Sequence, residues 1–558
     1  MTLDEIYRLP LERRAIGPLL GFRARQDADR PCLTWGQQTF SFAEADRLSR
    51  AVARGLLRRG IGRGDRVAML LPNGPDFVWA WYGCALLGAT MVPVNNTYIG
   101  EMFDYVLRDS GSRGLIVHAD LAGAVATLSS ATRSQIEWVA VAQTPSGLPE
   151  APQPSASLPA GFEPFTDLME FQGGDPEVSC DHRDIQTIMY TSGTTGPSKG
   201  VVMPNGHFFA SAMVFLRALG LTRDDVLFTP LPLFHGLASR LGVLPCLMVG
   251  AHVVIAPRFS ASQFWEQVCA ANATVAHTIF SLPPMLKAQP VSPWETRHRL
   301  RAMYNSNYDP EFEERFKVRV VEAYGLTETG LTIYSDWPER RPGSCGRIDQ
   351  DWEARIVGDD GRELPPGESG ELIVRPRLPW IMMRGYLNKP EATLESIRDL
   401  WFHTGDYARR DEEGFFYFSG RKKERIRRRG ENISAWDIEK IVGDHPGISE
   451  CAALAHPSPV GEDDVRLVVV PATGAQLEPL SLMIWLESQL PPLMVPRYIE
   501  IVDALPRTPS NKVEKYKLIS DGLTSGAWDR EKAGYRLKGE RIRKTNPGTP
   551  APDTSGRR

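Results

Sequence analysis

Residues 185–202 read IQTIMYTSGTTGPSKGVV. The apolar run 185–190 predicts a buried strand. Behind it come Thr191, Ser192, Gly193, Thr194, Thr195, Gly196, Pro197, Ser198 and Lys199. Glycines let the backbone turn tightly and bring N–H groups close to a ligand. Five hydroxyls add donors and Lys199 adds a positive charge. Such a loop suits a polyphosphate, since each hydrogen bond to a charged oxygen contributes about 1.5–3 kcal/mol. The Walker pattern G-x-x-x-x-G-K-[ST] is not met, because Pro197 and Ser198 separate Gly196 from Lys199. The alternative reading is a Ser/Gly linker; the apolar strand ahead and the placed lysine argue against it.

The chain on either side predicts an α/β fold. Ser41 and Glu44 form a capping-box pair, and Phe42, Ala45, Leu48, Val52 and Leu56 keep one apolar helical face. Strands follow at 66–71, 90–94, 115–118 and 136–141, with a Trp- and Leu-rich helix over 76–89. This alternation predicts a large N-terminal domain of doubly wound sheets, over 1–422, plus a β-subdomain. Residues 143–165 carry six prolines and read as a surface connection. A chain of 558 residues is too long for one core, and a small α+β domain is predicted over 423–530. The polar, basic remainder, 531–558, predicts a disordered tail.

Composition excludes several classes. Hydrophobic residues make up 42%, charged residues 24%, and the net charge is −4, which gives no global nucleic-acid or membrane signal. Seven scattered cysteines without C-x-x-C predict neither disulfides nor zinc, and fit a reducing cytoplasm. The N-terminus lacks a signal-peptide core, and the apolar stretch 241–256 is too short and broken to span a membrane.

Further motifs follow the loop. A strand over 226–231 runs into Pro232-Leu233-Phe234-His235-Gly236. A histidine there sits where α/β proteins bind ligands, although read alone it is more often a structural histidine. Arg240 reads either as a surface arginine or as one facing a polar substrate. In Tyr324-Gly325-Leu326-Thr327-Glu328-Thr329 a tyrosine can stack on a purine, a threonine can bond a phosphate and a carboxylate can hold Mg²⁺. Asp406, in WFHTGD, can accept ribose hydroxyls, with Arg421 as partner. RKKERIRRR, 421–429, holds seven basic residues in nine and, taken alone, suggests nucleic acid.

These motifs, in this order, resemble the adenylate-forming superfamily of acyl-CoA synthetases, peptide-synthetase adenylation domains and luciferases. The resemblance spans about 20–530 and is nearest the crotonobetaine/carnitine-CoA-ligase-like group. It implies that residues 191–196 and Lys199 hold the phosphates of ATP, with Tyr324 on adenine and Asp406 and Arg421 at the ribose. It implies Thr327 at the α-phosphate, Glu328 on Mg²⁺, and Phe234 and His235 beside the acid. Lys423 falls at the hinge, Gly430 where a pantetheine passes, and Lys512, in PRTPSNK, at the catalytic lysine. Asn511 stands where the family usually has glycine. The implied activity is AMP-forming activation of an acid, then transfer to coenzyme A.

One segment departs from the family. Small residues usually precede the tyrosine motif, whereas here the stretch is Met303-Tyr304-Asn305-Ser306-Asn307-Tyr308. Larger side chains remove ligand volume, and buried asparagines need polar partners. A small polar acid is expected, with Arg240, Asn305 and Asn307 around it, unless this loop swings away. Two alternatives stay open. One is an ATP-dependent diazotase of secondary metabolism that activates nitrite and passes its nitrogen to an aryl amine. The other is a non-catalytic nucleotide-binding scaffold, which predicts ATP binding without pyrophosphate exchange.

Overall fold

The computed structural model describes residues 3–143, 161–174, 180–191, 198–279, 282–305, 308–336, 339–421, 425–428, 431–458, 463–507 and 512–537. The sites predicted at Ser192, Gly193, Thr194, Thr195, Gly196, Asn307, Lys423 and Gly430 lie outside the described residues. The chain divides into two compact units: Met1–Thr404 with Arg409–Phe418, and Gly405–Ala408 with the chain from Ser419 onward. That division lies close to the 422/423 boundary expected from sequence, but it assigns Asp406 to the smaller unit.

The large unit holds two extended, mainly parallel sheets. The first runs, in spatial order, Arg319–Val321, Ala302–Tyr304, Val275–His277, Val226–Thr229, His252–Ile255 and Pro31–Trp35, with Gln38–Ser41 added as an antiparallel edge. The second is centred on Ile185–Thr191, Thr90–Pro93, Arg66–Leu70 and Gly114–His118. Strands Lys199–Pro204 and Gly385–Tyr386 extend it antiparallel on one side. Shorter β-structure follows between 323 and 421, the expected β-subdomain.

Local sequence explains these elements. Helix Phe42–Arg58 begins at a full capping box: Glu44 N donates to Ser41 Oγ at 3.2 Å and Ser41 N to the Glu44 carboxylate at 2.8 Å. Its inner face includes Phe42, Ala45, Val52 and Leu56, all fully buried. Burying one such aromatic or aliphatic side chain stabilises the fold by about 1.5–3 kcal/mol. Helix Pro75–Leu87 is buried on every face, as its all-round apolar sequence requires. Residues expected to form only a surface connection include a short edge strand, Phe162–Pro164, and a helical turn, Phe165–Leu168.

The smaller unit packs helices Ala435–Gly443 and Pro479–Gln489 on strands Ile448–Pro457, Asp463–Pro471 and Tyr498–Ile501. Leu537 is buried in that core and the Tyr535 hydroxyl donates to Glu487 at 2.7 Å. Residues 531–537 therefore belong with this unit, beyond the limit of 530 read from composition. Arg428, from the basic run, is also internal. It donates to the Leu493 and Val495 carbonyls at 2.9 and 2.8 Å and lies 3.6 Å from Asp464. At this residue the run is a structural feature rather than a nucleic-acid patch.

Candidate active site

The parallel strands of the first sheet end side by side. Register pairs Tyr304 with His277 on one side and Val321 on the other. Thr229 reaches the same edge, its hydroxyl 3.3 Å from His277 Nδ1. The segments leaving these ends carry Phe234, His235 and Arg240 after Thr229, Asn305 after Tyr304, and Tyr324, Thr327 and Glu328 shortly after Val321. Open α/β sheets bind ligands along this carboxyl edge.

Buried side chains fix the loops. Asn73 donates to the Leu231 and Ala256 carbonyls at 2.9 and 3.0 Å and accepts from Leu233 N at 2.8 Å. One amide thus sets the backbone just ahead of half-buried Phe234 and exposed His235. His235 Nδ1 accepts from Leu237 N at 3.3 Å. The turn holding Thr327 and Glu328 joins antiparallel strands Ala323–Leu326 and Gly330–Tyr334. Gly330 has φ +72°, and a Cβ there would come within 2.8 Å of Ser211 Cβ. Tyr324, half-buried, has its ring centroid 6.3 Å from that of Phe418.

Arg240 is buried, which removes the surface reading. Its Nη1 lies 3.4 Å from the Thr327 carbonyl and from both ring nitrogens of His207, and its Nη2 lies 3.5 Å from the Leu326 carbonyl. Burial pulls the guanidinium down to about 10, against the opposing pull of Tyr304 and Glu328. It therefore stays charged at neutral pH. His207 is held well below the ordinary imidazole range, first by burial and then by Arg240. Burial lowers His277 to about 3. Both histidines are neutral, and among the described residues Arg240 forms no ion pair. A buried cation whose direct contacts are a neutral histidine and carbonyl oxygens, with the Glu328 carboxylate acting on it without forming an ion pair, can seat an anion.

The guanidinium lies 5.9 Å from the Phe208 ring centroid, and Tyr304, which also acts on it, belongs to a cluster of rings. Phe215 lies 5.0 Å from His277 and 5.5 Å from Tyr304, centroid to centroid, and His277 lies 6.0 Å from Tyr304. Tyr304 and Asn305 are both buried, so the segment does not swing away through Asn305.

The strands on either side of the predicted phosphate loop pair antiparallel, with Thr191 opposite Lys199. Walker loops instead lead from a strand into a helix. Tyr105 donates to the Ser198 carbonyl at 2.9 Å, and Tyr190, at the loop's entrance, donates to Asp109 at 2.7 Å. Lys199 Nζ lies 4.3 Å from the Tyr386 ring centroid, and the Tyr386 hydroxyl donates to Glu328 Oε1 at 2.9 Å. Lys199, Tyr386 and Glu328 therefore form one chain of contacts. Among the described residues no group of three or more His, Cys, Asp or Glu could hold a metal alone. A single half-exposed carboxylate fits Mg²⁺, which takes one or two carboxylates together with phosphate and water oxygens.

The smaller unit carries the other predicted residues. Asp406 is buried with Arg421 Nε 3.3 Å from Oδ1. Lys512 is exposed, beside a loop closed by Glu514 N donating to the Pro506 carbonyl at 2.8 Å and by the Arg507–Val513 bridge.

The family model of AMP-binding enzymes matches residues 22–387, and that of the AMP-binding enzyme C-terminal domain matches 437–512. The chain belongs to the AMP-binding enzyme family. It is an AMP-forming ligase of the adenylate-forming superfamily. It is 31% identical to crotonobetaine/carnitine–CoA ligase of Salmonella typhimurium, over 86% of this chain and 93% of that protein. Its fold is similar to ATP-bound MatB from Rhodopseudomonas palustris, at TM-score 0.78 and 25% identity, over 91% of this chain and 99% of that one. The anthranilate CoA ligase AuaEII, in complex with anthranoyl-AMP, gives TM-score 0.81 at 23% identity, over 93% and 99%. The scaffold reading is thereby replaced by that of an enzyme.

Three residues of the ligase escaped the sequence reading. His207 lies in an apolar helix, Asn205–Leu219, where nothing local marks a polar role. His277 ends a short apolar strand. Tyr386 reaches its partners through pairing between distant strands.

Proposed function

We propose that the ligase activates a small anionic or strongly polar acid as its adenylate, releasing pyrophosphate, and passes it to coenzyme A. The buried charge of Arg240 beside the Thr327 carbonyl carries this reading. An acid entering at the strand ends meets a positive charge rather than an apolar tunnel. The rings of Phe215, His277 and Tyr304 favour a short body. His235, Phe234 and Asn305 stand along the same edge, and Thr327 offers its hydroxyl toward the α-phosphate. Lys199 and the loop through Gly196 take the phosphates, Tyr324 the adenine, and Asp406 with Arg421 the ribose. Mg²⁺ on Glu328 would neutralise phosphate charge as it develops. Lys512 offsets charge at the α-phosphate in the first half-reaction. Lys423 as hinge and Gly430 at the acceptor channel complete the assignment, and the reducing cytoplasm is its setting.

Coenzyme A as acceptor is supported by the crotonobetaine/carnitine–CoA ligase relative. The ring packing beside Arg240 also favours a second reading, in which the acid is nitrite and an aryl amine receives its nitrogen. Nitrite has one charge and three heavy atoms, so it needs no acyl volume.

The test is AMP and pyrophosphate release with ATP against short polar carboxylates plus coenzyme A, fatty acids plus coenzyme A, and nitrite plus an aryl amine. Turnover with a short acid and thioester formation support the first reading. Turnover confined to nitrite with amine selects the second. Preference for long-chain fatty acids overturns both.

A further inference from the structure

We infer that Tyr386 is a positioning residue for adenylation: its hydroxyl fixes the metal-holding carboxylate of Glu328 while its ring seats the Lys199 ammonium. One side chain then sets the spacing between the cation on Glu328 and the Lys199 ammonium. The inference rests on the roles proposed above for Glu328 and Lys199.

The backbone is built to hold this side chain still. Met383 N donates to the Glu328 carbonyl at 2.9 Å, which ties residue 383 to the turn. Arg384 N donates to the Val202 carbonyl and Leu387 N to the Gly200 carbonyl, both at 2.8 Å, which tie the next residues to the strand beginning at Lys199. The segment therefore bridges the two elements that must act on one triphosphate. Gly385 has φ +142°, and a Cβ there would lie 2.9 Å from Thr393 Cγ2. Glycine at that position lets Tyr386 N donate to Thr393 Oγ1 at 2.9 Å.

The two functions of the ring and hydroxyl are chemically separate. Tyr386 is only 8% exposed, so its hydroxyl, rather than bulk water, occupies one lone-pair direction of Glu328. A carboxylate without that donor samples several rotamers, and a cation held on it loses a preset direction. Partners that orient metal ligands in this way contribute about 10–100-fold in metal affinity. The ring face attracts the Lys199 ammonium at 4.3 Å, an interaction independent of the hydroxyl. Phenylalanine removes the first function and keeps the second; leucine removes both.

The experiment measures Mn²⁺ binding to the full chain by electron paramagnetic resonance, with α,β-methylene-ATP, which is not cleaved. Nucleotide affinity in EDTA and melting temperature are measured in parallel. Tyr386→Phe is expected to weaken Mn²⁺ about tenfold while leaving nucleotide affinity in EDTA unchanged. Its turnover recovers as Mg²⁺ is raised. Tyr386→Leu is expected to show the same metal loss and, in EDTA, about threefold weaker nucleotide binding. Should the leucine variant not fold, Tyr386→Phe decides alone. Wild-type Mn²⁺ affinity and Mg²⁺ dependence in Tyr386→Phe, beside a clear loss in Glu328→Ala, overturn the inference. Unchanged Mn²⁺ affinity in Glu328→Ala instead overturns the metal role proposed for Glu328, and that of Tyr386 with it.

Discussion

Arg240→Met separates recognition from stability in opposite directions. The guanidinium falls from the ordinary arginine range to about 10 on folding, because it is buried. That difference corresponds to roughly 3 kcal/mol disfavouring the charged form in the fold. Methionine fills much of the arginine stem's volume without a charge. It gives up long contacts to the Leu326 and Thr327 carbonyls and the His207 ring, and the guanidinium's place over the Phe208 ring, contributing about 1–2 kcal/mol together. The variant should therefore be more stable by about 1–2 kcal/mol, a rise in Tm of about 1–2 °C for a unit of this size. The penalty is fully present below pH 10, where Arg240 is charged in both states, and is relieved as pH rises above 10. The gain should accordingly be flat from pH 6 to 9. Activity moves the other way. Loss of a charged donor to the acid costs about 1.5–3 kcal/mol, or about 10–150-fold in kcat/KM for the acid. KM for ATP should stay unchanged. Thermal melts and a pyrophosphate-release assay measure both effects. A fall in Tm with unchanged kcat/KM would mean that Arg240 is a structural arginine, and the substrate assignment would be wrong.

Three other expectations are independent of that one. Lys512→Ala should lower adenylate formation at least about 100-fold, while thioester formation from supplied adenylate is largely retained; equal loss in both half-reactions refutes the division. Burial lowers His252 to about 4 in the fold, so its contribution to stability is complete above the unfolded value of 6.5 and is lost as pH falls toward 4. His252→Gln, which keeps a partner for Thr34 Oγ1, should remove roughly 2 kcal/mol of the stability loss between pH 7.5 and 5; identical Tm–pH slopes would exclude it. Gly330→Ala, at φ +72° and against Ser211, should destabilise by about 1–3 kcal/mol and lower turnover by moving Thr327 and Glu328; a variant as stable as the parent contradicts the turn geometry.

What the sequence made legible was local. The run 185–190, the capping box at Ser41 and the apolar face of 42–56 are periodic signals, and each became the element expected. The motifs were readable because they sit at strand ends and turns, where chain order and chemistry coincide. Burial of Arg240 was less visible. Its neighbours Leu241, Val243 and Leu244 are apolar, which marks an internal helix, but the partner that decides its role, His207, comes from another helix. The Tyr386–Glu328–Lys199 contacts depend on antiparallel pairing of Gly385–Tyr386 with Lys199–Pro204, which no local pattern encodes. The small unit's end was misjudged because 531–537 is polar overall and hides one core residue, Leu537.

The same buried charge bears on how selectivity arises. A longer acyl chain gains about 0.8 kcal/mol for each methylene taken from water. To enter beside Tyr304 it must displace rings already packed against Phe215 and His277, and overpacking costs about 1–3 kcal/mol. It must also leave Arg240 facing hydrocarbon, and a buried charge without a partner costs several kcal/mol. The second and third costs exceed what two or three methylenes return. If Arg240 faces the acid as proposed, discrimination would rest on rejecting apolar acids rather than on tight binding of the right one. On the proposed assignment such a site would accept several small anions and disfavour acids a few methylenes longer, because one positive charge attracts every small acid and gains nothing from hydrocarbon.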